Sequence, residues 1–209
     1  MGRRAILTDR DGTICDDVGY LSRVEQLRLL PHSGEALARA GAAGFQVVLV
    51  TNQSAIARGW LTEDELTEIH ERLRAELARG GARLDGIYHC PHHPQAHVGR
   101  YRRVCDCRKP RPGMLRQARE EMGLDLGSSY MIGDRLDDLA AGAAVGATPV
   151  LVRTGNGTSE LGRLARGAGP RPAFVANHIL DAVCWILERQ LPAPGSVERG
   201  IERGARGGC

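Results

Sequence analysis

The chain has 209 residues, 42% of them hydrophobic, and a net charge of +3, which makes one ordinary domain with enough apolar material for a sizeable core. The basic residues are spread along the whole length, so charge gives no reason to expect nucleic-acid binding. No run of 18 apolar residues and no cleavable leader occurs, and the expected setting is the cytoplasm, with no membrane partner.

In chain order, Ala5–Thr8 is a short apolar run of strand length. Ser33 is expected to cap a helix that carries Leu37 and Ala38, and Gln46–Val50 reads as the second strand. Thr62 and Glu65 form a capping box, which predicts a helix to about Leu77 with Leu66, Ile69, Leu73 and Leu77 on one face. Gly86–His89 is the third strand. Pro112 opens a helix bearing Met114, Leu115, Ala118 and Met122, stopped by Gly123. Tyr130–Ile132 is the fourth strand, followed by a helix after Asp134. Pro149–Val152 is the fifth, Ala173–Ala176 a weaker sixth, and a last helix covers Ile179–Leu191. Residues 1–191 are therefore expected to form a single domain, and 192–209, which lack apolar periodicity, a disordered tail. Strand–helix alternation of this kind implies a doubly wound parallel sheet, an α/β fold of the Rossmann-like class.

Such a sheet places its chemistry at the carboxyl ends of the strands. The residues there are polar: Asp9-Arg10-Asp11-Gly12-Thr13 after the first run, Thr51-Asn52-Gln53-Ser54 after the second, and Gly133-Asp134-Arg135 with Asp137 and Asp138 after the fourth. Asp9 and Asp11 are two apart and expected on one side, and Gly12 permits a sharp turn. With Asp134 they could hold one hard cation through oxygen, and magnesium suits this. A carboxylate can attack phosphorus if a cation offsets the repulsion and a second group protonates the leaving oxygen. That assigns Asp9 as nucleophile, Asp11 as acid and then base, Thr51 to phosphate oxygens and Lys109 to charge compensation. Lys109 is the single lysine among 28 basic residues. A compact ammonium is chemically different from the arginine fork used everywhere else.

These motifs, Asp9–Thr13, Thr51, Lys109 and Gly133–Asp138, resemble the four motifs of the haloacid dehalogenase (HAD) superfamily of phosphotransferases. The longer strings "VTNQSAIARG", "DGIYHCPHHPQ", "VCDCRKPRPGM", "SYMIGD" and "VLVRTG" are similar to its heptose bisphosphate phosphatase branch, with histidinol-phosphate phosphatases as relatives. The resemblance implies a HAD fold with a minimal cap and magnesium on Asp9, Asp11 and Asp134. It places Thr51, Asn52, Gln53, Arg108 and Lys109 around a small sugar bisphosphate, in a protein that works as a monomer. Many relatives carry His and Lys where this chain has Val18 and Arg135.

Of six cysteines, Cys15, Cys184 and Cys209 stand alone, while Cys90, Cys105 and Cys107 cluster with histidines in a loop spanning residues 89–109. Cys90-Pro91-His92 and Cys105-Asp106-Cys107 give a C-x-H…C-x-C set, three thiols and an imidazole, which suits a closed structural zinc site that aims Arg108 and Lys109. His92 is taken as the fourth ligand on spacing and on the resemblance, with His89, His93 and His97 close by. Arg58 and Arg111 are weaker candidates for a second phosphate. A phospho-accepting signalling domain is the non-enzymatic alternative.

Overall fold

The computed structural model describes residues 2–190, so the expected tail at 192–209 lies outside the described residues. Six strands, β1 (Ala5–Thr8), β2 (Gln46–Asn52), β3 (Gly86–Cys90), β4 (Tyr130–Gly133), β5 (Thr148–Val152) and β6 (Phe174–Ala176), form one sheet in the order β3-β2-β1-β4-β5-β6. Every pairing is parallel. Parallel neighbours need crossovers, and among the described residues seven helices supply and flank them: α1 (Ser33–Ala42), α2 (Ser54–Arg58), α3 (Glu63–Arg79), α4 (Gly113–Met122), α5 (Leu136–Ala143), α6 (Gly157–Ala165) and α7 (Ile179–Glu188).

Both faces of the sheet are covered, which is why its strands read as continuous apolar runs. In β2, Val47 and Leu49 join the larger core, which includes Leu37 of α1, Leu66, Ile69, Leu73 and Leu77 of α3 and Val183 of α7. Val48 and Val50 point the other way, into the core formed with Met114, Leu115 and Ala118 of α4. The Thr62–Glu65 capping box is present, with Glu65 N–H donating to Thr62 Oγ1 at 3.1 Å and Thr62 N–H to the Glu65 carboxylate at 2.7 Å.

Three local expectations change. Ser33 is the first residue of α1 rather than its cap; His32 precedes it at φ 67° and makes no side-chain capping bond. Helices α2 and α6 have no counterpart in the sequence reading, because α2 has five residues and α6 contains Gly157 and Gly162, which lower helix propensity. The last helix ends at Glu188.

The chain order reverses between β1 and β4, so their carboxyl ends diverge and open a crevice. Asp9 follows β1 and Asp134 follows β4 on its two sides. Between β1 and α1 there is only a short 3-10 turn (Val24–Gln26), and no separate cap domain occurs among the described residues.

Candidate active site

At the crevice floor, Lys109 Nζ lies 3.0 Å from Asp9 Oδ1 and 2.6 Å from Asp138 Oδ1, and donates to the Val50 carbonyl at 2.7 Å. All three charged residues are buried. Burial works against the ammonium, yet Asp138 and Asp9 hold its pKa above the ordinary value. Lys109 comes from a loop, and Asn52 pins its backbone: the amide Nδ2 donates to Lys109 C=O, and Oδ1 accepts from Lys109 N–H, both at 3.1 Å. Sequence reasoning assigned Asn52 to the substrate; the structure uses its carboxamide to fix the lysine.

Asp134 sits across from Asp9. Its Oδ2 accepts from the Asn156 backbone at 2.8 Å and from Asn156 Nδ2 at 3.0 Å. Gly12 and Gly155 press against the same carboxylate, and a Cβ on either would collide with it. Asp134 Oδ1 is buried with no hydrogen-bond partner, and the buried Asp9 Oδ1 has the Lys109 ammonium 3.0 Å away. Burial pushes Asp9 up to about 6, against the pull of Lys109. Burial, and then the charge of Asp9, do the same for Asp134. Two buried carboxylates of raised pKa, with Asp134 Oδ1 lacking any partner, fit a hard divalent cation.

The Asp11 carboxylate is outside this group: Asp138 gathers with Asp9 and Asp134 instead. Of the expected set of Asp9, Asp11 and Asp134, two carboxylates therefore meet here. Arg10, wholly buried, folds back on its neighbour and grips Asp11 in a fork, Nε to Oδ1 at 2.9 Å and Nη2 to Oδ2 at 3.0 Å. Gln53 Nε2 donates to Asp11 Oδ2 at 3.1 Å and to Thr51 Oγ1 at 2.9 Å, while Gln53 Oε1 accepts from Arg10 at 3.0 Å. Gln53 thus links Asp11, Thr51 and Arg10 at the crevice. His70 packs beneath Arg10, 3.5 Å from Nη1; burial, then the Arg10 charge, hold it at about 3, so it is neutral.

Cys90, His92, Cys105 and Cys107 converge as the spacing implied. Their sulfurs are 3.1 to 3.5 Å apart, and His92 Nδ1 is 3.2 Å from Cys107 and 3.7 Å from Cys90. These separations are far beyond the roughly 2.05 Å of a disulfide. Burial pushes the Cys90 thiol up, so a cation is needed to hold it as thiolate. The cluster is tied to the crevice twice. In the β2–β3 register Cys90 pairs with Asn52, and Cys107 is two residues from Lys109. Gly113 N–H donates to Asp106 C=O at 2.8 Å, and a Cβ there would strike the Asp106–Cys107 backbone. Arg108 donates from Nη1 to His92 C=O at 3.1 Å. His89, which the spacing left as a possible ligand, instead faces Glu63 at 3.7 Å.

A strap, residues 17–20, is tied down beside the crevice. Asp17 Oδ2 accepts from Asn156 Nδ2 at 2.9 Å and from Arg135 at 3.2 Å. Three residues later, the Tyr20 ring meets Trp60 edge-on with centroids 4.6 Å apart. Asn156 could have been found by inspecting the residues after the fifth strand as closely as those after the first, second and fourth. Arg10, Asp17 and the use of Asn52 and Gln53 carry no such signal.

A sequence profile of the HAD-hydrolase-like family matches residues 106–182. The chain is 42% identical over 182 residues to the D-glycero-beta-D-manno-heptose-1,7-bisphosphate 7-phosphatase of Pasteurella multocida, covering 87% of this chain and 93% of that protein. It is 42% identical over 190 residues to the enzyme of the same name from Escherichia coli K12, covering 90% and 96%. Among solved structures it is similar to the D,D-heptose 1,7-bisphosphate phosphatase of B. bronchiseptica, complexed with magnesium and phosphate, with TM-score 0.79, 36% identity and coverage of 89% and 99%. A crevice of paired acids around one buried lysine, on a sheet shared with these relatives over nearly their whole length, places the chain in the HAD-like phosphatase family that includes the heptose bisphosphate 7-phosphatases.

Proposed function

We propose that the protein hydrolyses the 7-phosphate of a D-glycero-D-manno-heptose 1,7-bisphosphate. The observation that carries the reading is the buried carboxylate pair, Asp134 with its Oδ1 unpartnered and Asp9 with its Oδ1 3.0 Å from the Lys109 ammonium. Asp9 attacks phosphorus; its new P–O bond forms as the bond to the sugar oxygen breaks. Asp11 gives its proton to that leaving oxygen, held in line by the Arg10 fork and Gln53. Asp11 then removes a proton from water, which attacks the aspartyl-phosphate, frees inorganic phosphate and restores Asp9. Thr51 and Lys109 face the transferring group, and Lys109 compensates its charge.

Magnesium, held by Asp9 and Asp134, would neutralise charge between nucleophile and phosphate. The donor set also fits zinc on Cys90, His92, Cys105 and Cys107, a closed shell that would fix the segment running into Arg108 and Lys109. The Pasteurella multocida and Escherichia coli relatives are named for the β anomer, which makes it the expected substrate here.

The test is phosphate release with magnesium from the α and β anomers of heptose 1,7-bisphosphate, with histidinol phosphate alongside. Preference for a heptose ester supports the reading, and preference for histidinol phosphate overturns the substrate while keeping the chemistry. A protein that is phosphorylated once and does not turn over would be the signalling domain instead.

A further inference from the structure

Arg10 is wholly buried, and a guanidinium in that position has five N–H donors to satisfy. Asp11 takes two of them, and Gln53 Oε1 a third. On the remaining nitrogen, Nη1 faces His70 Nε2 at 3.5 Å. His70 belongs to α3 and is 8% exposed. Among the described residues of α3, the other buried side chains are Leu66, Ile69, Leu73 and Leu77. The helix therefore lays an aliphatic stripe against the core and interrupts it under the arginine with a hydrogen-bond acceptor.

One form of the ring serves there. A guanidinium only donates, so Nε2 presents its lone pair and the ring proton sits on Nδ1. Burial, and then the Arg10 charge, keep the ring neutral, and His89, with ring centroids 6.0 Å apart, and Arg74 act in the same direction. The helix is itself anchored. Glu63, about two helical turns before His70, accepts from the Tyr101 hydroxyl at 2.8 Å and faces His89 at 3.7 Å. His70 thus stands on a fixed platform behind Arg10, and Arg10 behind Asp11.

Building on the reading of Asp11 as proton donor to the leaving oxygen, we propose that His70 is a positioning residue for that step: its Nε2 fixes the Arg10 guanidinium, and the fixed fork holds the Asp11 carboxylate at the angle from which it protonates the sugar oxygen. Without that acceptor, Nη1 loses its partner in the core, and Arg10 and Asp11 gain a freedom of rotation that the proton transfer does not tolerate.

Such a defect has a signature that general loosening lacks. An alkyl alcohol needs its proton as the P–O bond breaks, whereas p-nitrophenolate leaves as a stable anion. The experiment measures kcat/KM with magnesium for heptose 1,7-bisphosphate and for p-nitrophenyl phosphate, in wild type, His70→Leu and His70→Gln. Leucine has no acceptor, and glutamine carries an amide oxygen at about the reach of Nε2. In His70→Leu the heptose ester should lose about 10- to 100-fold and the aryl ester less than about threefold, with most of the loss recovered in His70→Gln. His70→Asn, whose amide is one carbon short, should behave as His70→Leu does and decides the matter if the leucine variant does not fold. An equal loss on both esters, or no loss in either His70→Leu or His70→Asn, overturns the role. If wild type hydrolyses histidinol phosphate rather than the heptose ester, the substrate reading fails, and the same alkyl-to-aryl ratio taken with histidinol phosphate still decides the role of His70.

Discussion

Asp134→Asn should stabilise the magnesium-free protein while removing its activity. The carboxylate is fully buried, with Oδ2 taking two N–H donors from Asn156 and Oδ1 taking none. An asparagine fits the same space: its oxygen replaces Oδ2, and its NH2 replaces the unpartnered Oδ1 on the side of the Asp9 carboxylate. The Asp134 pKa is raised from 3.8 to about 6, a value that already includes the Asn156 bonds. At 1.36 kcal/mol per unit, ionising Asp134 in the folded state costs about 3 kcal/mol. The sign follows from linkage: the folded pKa lies above the unfolded one, so the cost is absent below pH 4, grows between 4 and 6, and is complete above 6. Urea unfolding of both proteins, in magnesium-free buffer without chelator so that any zinc stays bound, should give equal stability near pH 4. The variant should gain up to about 3 kcal/mol at pH 7.5. A variant less stable than wild type at pH 7.5, or a difference flat across that range, would refute the reasoning.

Other outcomes follow from the same geometry. Asp9→Asn should show no turnover in the phosphate-release assay with its zinc content unchanged, and near-normal activity would sink the nucleophile assignment. Asp11→Asn should lower kcat by about 10²- to 10⁴-fold, as expected for loss of general acid–base catalysis. It should also lower the melting temperature, because the buried Arg10 charge loses its fork. Cys107→Ser should lose zinc by elemental analysis and raise the KM for substrate, since the cluster is two residues from Lys109; retention of one zinc per chain would disprove the ligand set. Asn156→Ala should raise the magnesium concentration needed for half-maximal rate while leaving zinc content intact, since Asn156 alone aims Asp134 from the strap side.

The sequence alone determined the layered plan and the chemistry-bearing ends of the strands. Buried parallel strands must be apolar throughout, so β1 and β2 appear as runs such as "AILT" and "QVVLV". Functional residues must follow those runs, so Asp9, Asp11, Thr51 and Asp134 are legible without coordinates. The C-x-H and C-x-C spacings are similarly local, and the four side chains converge. What spacing cannot carry is the partner each polar side chain chooses among elements distant in the chain. Asn52 and Gln53 follow Thr51 and read as substrate contacts, yet one closes on the Lys109 backbone and the other on Asp11 and Arg10. Asp138 displaces the Asp11 carboxylate from the acidic cluster because α5 turns it toward Lys109, while Arg10 pulls Asp11 away. The strap from Asp17 to Tyr20 is likewise decided only where β1, β2 and β4 come together. A buried polar atom must be satisfied by whatever lies nearest in space, and only the tertiary structure sets that neighbourhood.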